Sequence, residues 1–76
     1  MTKETVFEVL NDVFYGSNNY NTVVIYAGYQ VVRMVTDENG KFPAFTLSDK
    51  LLTLEYPTRT DYVCLEAVTL ISASEY

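Results

Sequence analysis

This chain of 76 residues has no histidine and no tryptophan, a single cysteine, and only five basic residues against ten acidic ones. Without histidine there can be no Ser–His or Cys–His nucleophile pair, no imidazole acid–base work and none of the usual zinc ligand sets. The lone Cys64 can form no internal disulfide, so nothing requires an oxidising compartment, and its neighbours Val63 and Leu65 predict a buried thiol. The shortage of cations leaves a formal charge of -5. That charge repels phosphate backbones and anionic membranes, so the expected partner is a protein with a basic surface rather than nucleic acid or lipid.

Other motifs are missing as well. Asp37-Glu38-Asn39-Gly40 resembles a calcium loop but lacks the alternating Asp/Asn ligands and the distal Glu, which makes it a solvated turn. Gly16, Gly28 and Gly40 are isolated from one another, and none belongs to a phosphate-binding loop or dinucleotide fingerprint. No metal and no cofactor are expected. Met1-Thr2-Lys3-Glu4 lacks the basic start and apolar run of a signal peptide, and no apolar stretch approaches the ~18 residues of a membrane span, so a cytosolic location is expected.

The length allows one domain, 1–76, with no linker, repeat or low-complexity tract. A domain this small buries only about 60% of the surface its unfolded chain exposes, so self-association or docking on a partner would help to stabilise it.

Val6, Phe7, Leu10, Val13 and Phe14 recur at helical spacing and predict a helix from about Lys3 to Tyr15, stopped by Gly16. Thr2 is the expected N-cap, while Thr5 with Glu8 fits a capping box one turn later. Beyond Tyr20 the pattern turns to strands. Thr22 to Ala27 and Tyr29 to Thr36 are β-branched and aromatic runs separated by Gly28, which favours a tight hairpin over a bulge in one long strand. Asn39-Gly40 suits a type I′ turn into a strand from Lys41 to Leu47, whose Pro43 belongs on a sheet edge or at a bulge. Further strands are expected from Leu51 to Tyr56 and from Tyr62 to about Ser72, although Leu65, Val68 and Ile71 also approximate helical spacing. The expectation is an α+β fold, one N-terminal helix packed on an antiparallel sheet of four to five strands.

Glu55 and Glu66 are the interior carboxylates that a glycosidase-like pair would use, with outward-facing strand residues as the plainer reading. A domain this small has little room for a cleft of ~300 Å³ beside its core. A non-enzymatic protein is expected.

Glu4, Glu8 and Asp12 fall at i, i+4 and i+8 on the helix and form a carboxylate ridge about 12 Å long. Like charges at this spacing cost a few tenths of a kcal/mol per pair. The ridge is either a solvated helix face or, with Asp37 and Glu38 at their turn, an imitation of phosphates that would occupy a Lys/Arg groove. Tyrosine adds a rigid ring and a hydroxyl, a combination enriched in interface hot spots, and Tyr15, Tyr20, Tyr26 and Tyr29 are the candidate patch, with ordinary packing as the alternative for part of the set. Tyr56 to Tyr62 frames a loop in which Arg59 can pair with Asp61 or with a partner.

In its shortness, acidity and lack of catalytic groups the chain resembles the small phage-encoded inhibitors of host defence nucleases, the anti-CRISPR and anti-restriction proteins. The resemblance covers size and charge over the whole chain, rests on no motif and transfers no residue roles. It implies an inhibitor that occupies the basic surface of a nuclease. The alternative from another class is a structural module that forms a homodimer or larger assembly through a sheet edge and its tyrosine-bearing face.

Overall fold

A computed structural model describes residues 1–75; Tyr76, one of the seven tyrosines, lies outside the described residues. Helix α1 spans Lys3–Tyr15. Thr2 is its N-cap, the side-chain oxygen accepting from the Thr5 amide at 3.2 Å, so the later start that Thr5 and Glu8 would permit is not used. Val6, Leu10 and Val13 form the buried stripe. Gly16 ends the helix as expected, but by a different route: its φ of -78° is extended backbone, not left-handed. The requirement there is space, because a Cβ at this position would collide with the backbone carbonyl of Asp12. That carbonyl accepts from the Gly16 amide and from Asn18 Nδ2, both at 2.8 Å.

Six strands follow among the described residues: β1 Thr22–Ala27, β2 Gln30–Val35, β3 Ala44–Leu47, β4 Leu51–Glu55, β5 Thr60–Cys64 and β6 Val68–Ser74. Strands β1 and β2 form the expected hairpin, closed by Gly28-Tyr29 between the paired Ala27 and Gln30. Gly28 has φ +64° while Tyr29 stays negative, the signature of a type II′ turn, which needs glycine at its first central position.

The α+β class and the N-terminal helix are as expected, but the single sheet is not. The strands form two antiparallel three-stranded sheets, ordered β2-β1-β6 and β3-β4-β5. The chain leaves the first sheet after β2 and returns to it with β6. Two local features produce the division. Asn39 keeps a negative φ, and only Gly40 is left-handed at +75°, which excludes a type I′ turn. Instead Asp37 organises the loop, its Oδ1 accepting from the amides of Asn39 and Lys41 at 2.8 and 3.0 Å, and β2 and β3 do not pair.

The second feature is a single 3₁₀ turn, Leu65–Ala67, which breaks the expected strand from Tyr62 to Ser72. Leu65 and Val68 are both buried, and a separation of three places them on one side of a 3₁₀ turn but on opposite faces of a strand. The hint of helical spacing in this segment came from that turn.

The inward residues of both sheets and the helix stripe share one core, with Leu10, Ile25, Met34, Leu52, Leu54 and Val63 almost completely buried. Cys64 is exposed, contrary to expectation. Strand alternation accounts for it: Val63 and Leu65 point inward, so the residue between them points out. No helix among the described residues is long and apolar enough to cross a membrane.

Candidate functional site

Helix α1 and strand β3 lie side by side in opposite directions. Lys3 pairs with Asp49 beyond the end of β3 at 3.5 Å, while Phe14 near the end of the helix stacks on Phe42 just ahead of β3, ring centroids 4.8 Å apart. Between them runs an open groove of about 780 Å³, bordered by Lys3, Glu4, Phe7, Glu8, Asn11 and Tyr15 from the helix and by Phe45, Thr46 and Leu47 from the strand. Residues 4, 8, 11 and 15 form one helical stripe.

Phe45 organises the floor. Its ring lies 6.1 Å from Phe7, 5.4 Å from Phe14 and 6.2 Å from Tyr15. Phe7 and Tyr15 remain 52% and 66% exposed, so water covers an aromatic surface flanked by carboxylates. Lys3 pairs with Asp49 and Arg59 with Asp61, and neither pair involves a helix carboxylate of the groove.

The sequence candidates are distributed unevenly around this groove. Glu4, Glu8 and Tyr15 border it, whereas Asp12 does not. Each four-residue step turns the helix by about 40° beyond a full circle, so the third carboxylate of the ridge has rotated off the groove. Asp37 and Glu38 are exposed, in a loop that leads into Phe42. Phe42 stacks on Phe14, about 15 Å along the helix from Glu4. Asp37 is also occupied in holding its own turn.

The four tyrosines do not form one patch. Tyr20 lies in the loop before β1, its amide donating to Asn18 Oδ1 at 3.1 Å. Tyr26 projects from the outer face of the first sheet, opposite in parity to the buried Val23, Ile25 and Ala27. Val31 and Leu70 flank it in register on the neighbouring strands, 61% and 51% exposed. Tyr29 stands fully exposed at the hairpin tip. Of the four, Tyr15 alone borders the groove.

Phe7 and Phe45 escaped sequence reasoning as site residues. Phe7 shares the helical spacing of the apolar stripe, yet it stands about 100° from Val6 around the helix and three residues after Glu4, a position on the flank. For Phe45 the usable signal was Pro43, which marked this strand as an edge.

Glu55 and Glu66 are not brought together. Glu55 pairs in register with Thr60, whereas Glu66 follows Cys64, the partner of Leu51 at the other end of β4. The length of that strand, roughly 13 Å, separates them, more than the spacing of a glycosidase pair. Among the described residues no three of His, Cys, Asp and Glu form a metal-binding group. Arg59 pairs with Asp61 at 3.4 Å and stacks on the Tyr56 ring at 4.1 Å, so it serves its own loop. The Tyr56 hydroxyl is buried without a well-formed hydrogen bond; burial raises its pKa, reinforced by Asp61 and opposed by the charge and the nearby N–H groups of Arg59.

No known protein family, characterised protein sequence or solved structure matches the chain. The groove's own chemistry is therefore the guide to its use. It combines aromatic area with the negative charge of Glu4 and Glu8, while the Lys3 ammonium at its end is paired with Asp49.

Proposed function

We propose that this chain is a non-catalytic binding protein that inhibits a nucleic-acid-binding enzyme by occupying its basic surface through the groove between α1 and β3. The observation that carries the reading is the adjacency of Glu4 and Glu8 to the exposed rings of Phe7 and Tyr15. Carboxylates alone describe any solvated helix face. Carboxylates beside exposed aromatic rings supply the two parts of a protein interface: an apolar anchor that gives affinity and a charged rim that gives orientation and on-rate. The net charge of -5 acts at longer range in the same direction.

The aromatic floor also refines the idea of phosphate imitation. Two carboxylates border the groove, so anchoring on Phe7, Phe45 and Tyr15 ranks ahead of charge spacing. The resemblance to anti-CRISPR and anti-restriction inhibitors points to a cytosolic defence nuclease as the class of enzyme blocked.

The reading is tested by affinity capture from host lysate followed by mass spectrometry. It expects a nucleic-acid-binding enzyme that is released by competing duplex DNA or RNA and is not captured by the E4K/E8K/D12K variant. Capture unaffected by both treatments would overturn it.

A second reading, self-association, is favoured by the outer face of the first sheet, where Val31, Tyr26 and Leu70 form an exposed row across three strands. Sedimentation at micromolar concentration separates the two: a monomer counts against self-association, and a dimer dispersed by Y26S/L70S supports it.

A further inference from the structure

We infer that the groove holds an extended, cationic peptide segment of its protein partner by strand addition to the free edge of β3. This rests on the reading of the groove as the partner site and adds how the partner's backbone is held. Among the described residues strand β3 pairs with β4 alone. The Ser48 amide donates to Leu51 O at 2.9 Å, making that pair hydrogen-bonded, and antiparallel ladders alternate. Thr46–Thr53 and Ala44–Glu55 are then the hydrogen-bonded pairs of the register, and Phe45 and Leu47 turn their N–H and C=O groups away from β4.

Those outward groups have no backbone or side-chain partner among the described residues. They also face the groove. Phe45, Thr46 and Leu47 all border it although Thr46 has the opposite parity, which places the groove along the strand's edge and not beneath one face. Two other edges are partly closed, β6 by the Met1 amino group on Val68 O at 2.6 Å and β5 by Gln30 Nε2 on Tyr62 O at 3.0 Å. The β3 edge combines open backbone groups, an aromatic floor and a rim of Glu4 and Glu8.

The spacing specifies the segment. Glu4 and Glu8 are about 6 Å apart along the helix, and alternate residues of a strand are about 6.7 Å apart. Two Lys or Arg residues at alternate positions therefore meet the two carboxylates in turn. The next alternate position, beyond Glu8, lies towards Phe45 and Tyr15 and takes an apolar side chain. Strand addition supplies affinity through the backbone, while these alternate side chains supply specificity.

The test is a titration of the ¹⁵N-labelled protein with short, end-capped peptides containing Lys-x-Lys-x-Leu or the reverse order, x being Ser or Thr, beside Glu-for-Lys controls. The expected result is saturable binding by a lysine peptide in one order, with slowed amide exchange at Phe45 and Leu47. N-methylation of the alternate peptide amides that face β3 should abolish it, methylation at the other parity should not, and E4Q/E8Q should weaken it about two- to tenfold. Failure of every lysine peptide to bind would overturn the inference, as would binding without protection at Phe45 and Leu47, or shifts confined to Tyr26, Val31 and Leu70. If the peptides fail while E4K/E8K/D12K still abolishes enzyme capture, strand addition falls and the inhibitor reading stands. If the peptides bind while capture ignores those reversals, the inhibitor reading falls instead.

Discussion

Phe7 of α1 and Phe45 of β3 meet with ring centroids 6.1 Å apart and ring planes at 59°. The contact joins the first element of the chain to the edge of the second sheet, and it leaves half of the Phe7 ring exposed beside Glu4 and Glu8. The same aromatic pair thus closes the fold on one side and leaves an exposed aromatic surface on the other. Different substitutions should separate the two roles.

Phe45→Ala removes contacts to Phe7, Phe14 and Tyr15 together and should cost about 2–4 kcal/mol in urea unfolding. Phe7→Ala removes a half-exposed ring and should cost about 1 kcal/mol, yet it should weaken partner binding more than any core substitution that leaves the protein folded. Equal effects of both variants on stability would contradict this division.

Gly16→Ala should destabilise the protein by about 1–3 kcal/mol, the usual cost of forcing an extra group into filled space. Its Cβ would meet the carbonyl of Asp12, which already accepts from Gly16 and Asn18. Thermal unfolding checks this, and an unchanged midpoint would show that the end of the helix can move aside.

Tyr56 gives stability a dependence on alkaline pH. In the unfolded chain a tyrosine ionises near 10, whereas in the fold burial, followed by Asp61, holds the Tyr56 proton to higher pH against the opposing effect of Arg59. The folded state thus binds the proton more tightly, so the contribution is complete below pH 10 and is lost as pH rises through the folded value. Tyr56→Phe should remove that part of the decline. Chemical unfolding of both proteins at pH 7 and above pH 10 measures the difference.

Cys64 should react with a thiol reagent in the folded protein at nearly the rate seen in denaturant, since its side chain is exposed. Protection that disappears only on unfolding would place the thiol in the core after all.

The sequence made the local elements legible wherever a side chain acts on its own neighbourhood. Thr2 caps α1, the stripe of Val6, Leu10 and Val13 orients it, and Gly28 closes the first hairpin. The division into two sheets was not legible, because it depends on which strands share the core and not on any residue alone. Asn39-Gly40 read as a hairpin signal, but the Asp37 carboxylate took both nearby amides and stabilised a different turn. The apolar neighbours of Cys64 were visible, and the alternation of β5 turned them into evidence for exposure. Half of the candidate site was legible, Glu4 and Glu8 from helical spacing and Tyr15 from the enrichment of tyrosine at interfaces. The other half, Phe45 and the edge of β3, became visible only once α1 and β3 lay side by side.

If Glu4, Glu8 and the aromatic floor occupy a basic surface that otherwise holds nucleic acid, this protein and nucleic acid must compete for the enzyme. The anisotropy of a labelled oligonucleotide bound to the captured enzyme, followed as this protein is added, measures that competition. Full displacement is expected from the natural chain and none from E4K/E8K, with folding of the variant verified by circular dichroism. Persistence of the oligonucleotide in a ternary complex with the natural chain would contradict it.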